Sequence, residues 1–219
     1  MSQALPVVAS LAQLVEEAKL RLGLKAETRI ISIAPTPGEF FSLSTVRSGT
    51  DQVVTYPLVL HKYHRNRMLT LPARKSSDFE QNLQEIVNEK VKVLGLFGPN
   101  TFAFNGSGEL ISIQEGLGEE VLWSVTFSIT SVFENALRAA HKLPLGSPEQ
   151  LEVNWIFARF DAPQHLDMQT PYLHLFAHEP RYRIRKLSSH SGYVALSNSS
   201  NLEEEVIHAI DYLEGVINE

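Results

Sequence analysis

Apolar and polar residues alternate along much of this chain, which is the pattern of half-buried β-strands. In the longest alternating stretch, 121–130, five apolar residues from Val121 to Ile129 would share one face, with serines and threonines on the other. Pro57 predicts an edge strand or a break, since proline cannot donate a hydrogen bond to a neighbouring strand. The strands predicted in this way are 29–34, 40–47, 52–62, 67–71, 92–97, 101–104, 109–114, 121–130, 151–157, 172–178, 181–187 and 192–196.

Helices are predicted where a capping residue precedes apolar residues spaced three and four positions apart. Capping boxes at 10–13, 131–134 and 200–203 begin three of them, because the serine hydroxyl can accept an early amide while Gln or Glu reaches back. Ser77 caps a fourth.

Helices set apart from a run of mostly antiparallel strands indicate an α+β fold rather than an alternating βαβ sheet. We expect about four helices, with the N-terminal and C-terminal helices packed on the sheet. The 219 residues are expected to form a single α+β domain, 1–219, and the turn-forming residues around Gly146 make a subdivision near 143–150 the alternative.

Several predicted strands carry hydroxyl side chains opposite their apolar face. Examples are Ser32, Ser42 with Ser44, Ser112 and the polar positions of 124–128. Small hydroxyls lose little entropy on burial and satisfy their donor locally, so such a face predicts a covering layer from the same chain or from another subunit. Strand propensity alone is the alternative explanation.

Composition narrows the chemistry further. Hydrophobic residues make up 43% of the chain and charged residues 20%, which excludes a disordered protein. The chain contains no cysteine, which excludes disulfide scaffolds, zinc ribbons and thiol nucleophiles. No charged leader and no long apolar run stands out, so we expect a protein of the cytoplasm or of a host cell, with no membrane span and no cofactor.

The net charge of −6 is unevenly distributed. Segments 61–75 and 181–187 carry five and four basic residues without an acid, whereas 201–219 carries six acids without Lys or Arg. This arrangement predicts either pairing within the chain or a head-to-tail contact between copies.

The basic segments 61–75 and 181–186 are also candidates for binding a polyanion. A nuclease could use His61 or His64 as general base beside Arg65. The candidate anion- or nucleic-acid-binding residues are Lys62, His64, Arg65, Arg67, Arg181, Arg183 and Arg185.

A histidine-rich region offers a candidate metal site. His174 and His178 would share one face of either a strand or a helix, and His165 and Asp167 precede them closely. These ligand types suit a divalent metal that activates water, as in a metal-dependent hydrolase, although no HEXXH signature is present.

None of these patterns forms a recognisable active site. The sequence therefore favours a non-enzymatic protein–protein interaction or assembly subunit, whether structural, adaptor or chaperone-like, and a phage or virus component would fit. Its partner would be another protein or a second copy of the chain. The alternatives are a nucleic-acid-binding protein or nuclease, and a metal-dependent hydrolase.

Overall fold

The computed structural model describes residues 29–32 and 38–217. Its centre is one sheet whose ten strands all pair antiparallel. The strands are β1 (Arg29–Ser32), β2 (Glu39–Arg47), β3 (Val53–Thr55), β4 (Val59–His64), β5 (Arg67–Pro72), β6 (Gly98–Phe104), β7 (Leu110–Glu115), β8 (Trp155–Asp161), β9 (Arg183–Lys186) and β10 (Ser191–Ser197). Their order is β1-β7-β6-β2-β4-β5-β8-β10-β9, and β3 pairs with the end of β2 that β4 leaves open.

Helices accompany the sheet on both sides. The described residues form α1 (Ser77–Val93), α2 (Ser124–Phe127), α3 (Val132–Ala140), α4 (Gln169–His178) and α5 (Leu202–Leu213), with a short 3₁₀ turn at Glu119–Val121. The predicted α+β class is confirmed, and the C-terminal helix packs on the sheet as expected. The helix predicted from Ser10 lies outside the described residues.

The two faces of the sheet have different covers. The first face, which carries Ser42, His61 and Phe157, is covered by the segment from Leu117 to Ala139. The second face is apolar, and it is covered by α1 over one half and by α4 and α5 over the other. The core is therefore split into layers on either side of one sheet.

The buried hydroxyls confirm part of the prediction from the strand faces. Ser42 and Ser44 are buried on the first face, and Ser44 Oγ lies 3.2 Å from Thr101 Oγ1. Helix α3 of the same chain packs over β2, so the covering layer comes from within the chain.

The long strand predicted at 121–130 is wrong, because the structure places α2 there. Trp123 and Phe127 both stack on Trp155, with ring centroids 5.0 and 4.6 Å away, while Val125 and Ile129 are exposed. Apolar residues four positions apart share a face on a helix as well as on a strand, so the alternation was ambiguous.

Three other predicted strands also differ from the structure. Residues 172–178 belong to α4, where Leu175 is the buried position, and 92–97 covers the end of α1 and the turn after it. Residues 151–154 precede β8, and Val153 is 90% exposed. The predicted break at Pro57 is present, between β3 and β4.

The sheet is continuous across 143–150, the region predicted as a possible boundary between two parts of the chain. Strand β8, which follows this region, pairs with β5, which precedes it. The single-domain organisation stays a prediction. Across the described part of the chain, no helix is both long and apolar enough to cross a membrane.

Candidate functional site

The first basic segment forms the β4–β5 hairpin, whose charges pair with the C-terminal helix. Arg65 and Asn66 form its two-residue turn, both at positive φ, as a type I′ hairpin requires. Arg67 Nε donates to Glu214 at 2.6 Å, and its Nη1 lies 3.3 Å from Asp161. The remaining contacts of this segment are Lys62 with Glu203 at 3.3 Å, and His64 and Arg65 each with Asp211 at 3.4 Å. The charges of the hairpin are thus balanced within the chain, whereas Arg74 and Lys75, later in the segment, form no ion pair within the described residues.

The second basic segment forms β9 and pairs with other acids. Arg181 makes a two-pronged contact with Glu179, and Arg183 lies 3.6 Å from Glu152. Arg185 is exposed and forms no ion pair within the described residues. Because β8 and β10 separate β9 from the β4–β5 hairpin, the seven predicted anion-binding residues do not form one patch.

The predicted metal ligands are spread along α4 and the loop before it. His174 and His178 are neighbours, with ring centroids 4.3 Å apart. Asp167 instead accepts from the amide of Gln169 and from the hydroxyl of Thr170, at the start of α4. His165 lies in the preceding loop, and the described residues contain no group of three or more His, Asp or Glu that could hold a metal.

Charged side chains converge in a cleft of about 200 Å³ on the first face, and among them only Arg67 belongs to the predicted site residues. We call it the Arg159 cleft. It lies where β4, β5 and β8 meet the 3₁₀ turn. Its lining residues are Tyr63, Asn66, Arg67, Met68, Glu119, Glu120, Arg159 and Asp161.

Arg159 is the central cation of this cleft. Its guanidinium lies 3.7 Å from Glu119 and 3.4 Å from Asp161. Its Nε atom is buried and has no hydrogen-bond partner in the structure. A buried donor of this kind is costly unless it is paired. The Arg159 side chain as a whole is about one-third exposed, so the rest of its guanidinium is accessible to a ligand.

Glu120 is the carboxyl group of the cleft whose pKa is altered. Burial raises the pKa of its carboxyl group, and the neighbouring Glu119 raises it further, while hydrogen bonds to its own amide and from Gln114 oppose the change. A carboxyl group with a raised pKa can exchange a proton nearer neutral pH, which suits general acid–base chemistry.

From Arg159 a row of paired residues crosses the sheet towards β9. Tyr193 pairs in register with Arg159 on one side and with Arg185 on the other, so the three residues form a row across neighbouring strands. Burial raises the pKa of Tyr193, and the nearby Arg185 side chain opposes this change. At about 5 Å per strand, the row places Arg185 about 10 Å from Arg159 along the backbone.

Sequence reasoning missed the Arg159 cleft. Arg159 is a single cation within an apolar strand, and Glu119 with Glu120 immediately precedes the segment predicted as a strand. The sequence does show this adjacent acidic pair before an apolar segment. The pair indicates a site only once the fold places Glu119 beside Arg159 of β8.

Comparisons with known proteins identify the fold. No family model matches the sequence, and no curated protein matches it. Solved structures do match, and those described here are enzymes by their names. N5-carboxyaminoimidazole ribonucleotide synthetase from Thermotoga maritima gives a TM-score of 0.65 at 17% identity, over 80% of this chain and 51% of that one. The synthetase from Thermus thermophilus gives 0.63 at 17% identity, over 96% and 66%.

A third similar structure was solved with ligands bound. N5-carboxyaminoimidazole synthase from Aspergillus clavatus, in complex with ADP and 5-aminoimidazole ribonucleotide, gives a TM-score of 0.63 at 17% identity, over 83% of this chain and 52% of that one. This chain thus spans about half the length of several synthetases that it matches. At this identity the likeness shows a common fold.

The comparisons correct the functional prediction made from the sequence. A non-enzymatic interaction or assembly subunit is wrong, because the solved proteins that share this fold are synthetases. The prediction rested on the lack of a sequence motif, and a cleft such as that at Arg159, which three separate parts of the chain line, leaves no such motif.

Proposed function

We propose that this chain is an enzyme, or a part of one, of the synthetase class, and that the Arg159 cleft binds a ribonucleotide substrate. The observation that carries the proposal is the fold shared with ribonucleotide synthetases over four-fifths or more of the chain. The cleft supports it independently, since it brings Arg159, Glu119 and Glu120 together at one place on the sheet, and burial raises the pKa of Glu120.

The row from Arg159 to Arg185 supports the recognition of a phosphorylated ligand. Arginine binds phosphate through two parallel N–H donors, and such charge-assisted bonds are among the strongest in proteins. Arg185 is exposed beside the hydroxyl of Tyr193, with no acid paired to it in the described structure. The phosphate of the ribonucleotide would contact Arg185, with the base in the cleft at Arg159.

The acidic side of the cleft supports a substrate that carries an amino group. The synthetases are named for a product carboxylated at an amino nitrogen of an aminoimidazole. An amine that gains a carboxyl group must lose a proton, and Glu120 is the group in the cleft suited to accept it. Glu119 is held by Arg159 and serves to position that arginine.

Another solved synthase of this fold is described as complexed with ATP, and a magnesium ion that accompanied ATP would find no site built from protein ligands alone among the described residues. Mg²⁺ is held by carboxylates together with phosphate oxygens. No group of three potential ligands exists in the described residues, and the carboxylates of the cleft are engaged by Arg159, Arg67 and Gln114.

Calorimetric titration with 5-aminoimidazole ribonucleotide, and with the nucleoside that lacks the phosphate, tests the proposal. We expect the ribonucleotide to bind more tightly than the nucleoside. Arg185→Gln should weaken ribonucleotide binding by about tenfold or more, the equivalent of one charged hydrogen bond, and should leave the nucleoside unaffected.

Arg138→Gln is the matched control. Arg138 is an exposed arginine on α3 that pairs with Glu134 on the same helix, away from the cleft. Its substitution should change neither titration. The proposal is overturned if the ribonucleotide does not bind, or if Arg185→Gln and Arg138→Gln affect both ligands equally.

A further inference from the structure

A larger cavity lies on the second face of the sheet, between the N-terminal ends of α1 and α5. Its volume is about 580 Å³, which is within the range of small-molecule sites. Apolar residues from four strands line it: Phe41 from β2, Leu60 from β4, Leu71 from β5 and Ile156 from β8. We call it the interhelix cavity. It shares no lining residue with the Arg159 cleft.

Two adjacent cations stand at the edge of this cavity. Arg74 donates from Nη2 to the side-chain oxygen of Asn154 at 3.2 Å. Lys75 Nζ lies 4.9 Å from the ring centroid of Phe41 and 5.1 Å from that of Phe79. Both side chains are exposed, and neither forms an ion pair within the described residues. The two rings therefore hold Lys75 over an apolar surface with its charge unbalanced.

The other charged residues of the lining leave an excess of positive charge at that edge. Lys62 is paired with Glu203 at 3.3 Å, so these two residues balance each other. Glu204 is exposed on α5, opposite the side formed by Arg74 and Lys75. The lining contains three cations against two carboxylates, and the two unpaired cations are neighbours in the chain.

From this combination we infer that the interhelix cavity binds a small amphiphilic anion. The apolar body of the ligand lies against the apolar strand residues of the cavity, where burial of its CH₂ groups favours binding. A carboxylate or phosphate head group lies between Arg74 and Lys75. A neutral or cationic head group would leave these charges uncompensated. The site is independent of the ribonucleotide proposed for the first face.

Calorimetric titrations with decanoate and with decyl phosphate, below their micellar concentrations, test this inference. The cation decyltrimethylammonium controls for the tail, and acetate controls for the head group. We expect both anionic amphiphiles to bind and both controls to fail. The stronger of the two anions identifies the preferred head group.

The double variant Arg74→Gln/Lys75→Gln should weaken binding of the anions by about tenfold or more. Lys90→Gln/Lys92→Gln, with two exposed lysines in the last turn of the same helix α1, is the matched control and should bind as the wild type does. All four lysine and arginine positions are exposed, so both variants should fold. Equal binding of the cationic amphiphile, unchanged binding by the first variant, or no binding of either anion overturns the inference.

Discussion

The Oγ atom of Ser42 and the Nε2 atom of His61 lie 2.7 Å apart inside the sheet, and both residues are fully buried. The other ring nitrogen of His61 lies 3.0 Å from Thr70 Oγ1. The ring of Phe40 stacks on the imidazole with a centroid distance of 4.6 Å. Strands β2, β4 and β5 are thus joined by one polar side chain as well as by their backbones.

Replacing His61 should destabilise the protein strongly. His61→Ala removes a buried ring and leaves the hydroxyls of Ser42 and Thr70 without their partner, so we expect a loss of about 3 kcal/mol in the free energy of unfolding. Urea denaturation measures it. His208→Ala, at an exposed position of α5, is the control and should change stability by less than about 0.5 kcal/mol.

His61 should also make stability depend on pH in a defined direction. Burial lowers its pKa from 6.5 to about 3. Below pH 6.5 the imidazole of His61 becomes protonated in the unfolded chain but stays neutral in the folded protein. The stabilising contribution is therefore complete above pH 6.5 and is lost as the pH falls towards 3, by up to about 1.4 kcal/mol per pH unit.

The comparison with His61→Gln isolates this contribution, because glutamine is neutral and can still form hydrogen bonds. Unfolding free energies of both proteins are measured between about pH 7 and about pH 4. The wild type should lose stability more steeply than the variant. Parallel pH profiles would show that His61 is protonated in the folded protein.

Gly192 links the stability of β10 to the position of β9. A Cβ atom at this residue would lie 2.2 Å from the carbonyl oxygen of Arg185 and 2.8 Å from the ring of Phe160. Gly192→Ala should therefore cost about 2 kcal/mol and displace β9, which weakens ribonucleotide binding through Arg185. Gly106→Ala, where nothing lies within 4 Å, should alter neither quantity. A fully stable Gly192→Ala protein would contradict this packing.

Glu214 connects the hairpin, β8 and the end of α5. Its Oε1 atom accepts from Arg67 Nε at 2.6 Å and from the amide of Asp161 at 2.7 Å. Glu214→Ala leaves both donors unpaired, so we expect a loss of about 2 kcal/mol in thermal or urea unfolding. Glu204→Ala, at an exposed position of α5, is the matched control. Equal effects of the two substitutions would exclude a role for the buried contacts.

Local patterns were sufficient for much of the fold. Residues 40–47 form β2 as predicted, and both faces of that strand are buried within one chain. The capping box at 131–134 predicts α3, and in the structure Ser131 Oγ accepts from the Glu134 amide. The break at Pro57 follows from its missing donor. Segment 121–130 could not be assigned in this way, because the position of Trp155 decides between a strand and a helix.

The site was harder to predict than the fold. The basic segment 61–75 predicts an anion-binding site, but the charges of Lys62, Arg65 and Arg67 are paired with acids of the same chain. Arg159 and Glu120 are 39 positions apart and are joined only through the packing of the 3₁₀ turn against β8. No spacing along the chain predicts that contact. Once the fold is known, the raised pKa of Glu120 draws attention to the cleft.

The most direct test of the proposed function is to locate the bound ribonucleotide by amide chemical-shift mapping. Titration with 5-aminoimidazole ribonucleotide should shift the amides of 63–68, 119–121, 159–161 and 185, and the shifts should saturate together. The amides that line the interhelix cavity, such as those of Leu71 and Arg74, should stay in place. Shifts confined to that cavity, or no shifts at all, would contradict ribonucleotide binding in the Arg159 cleft.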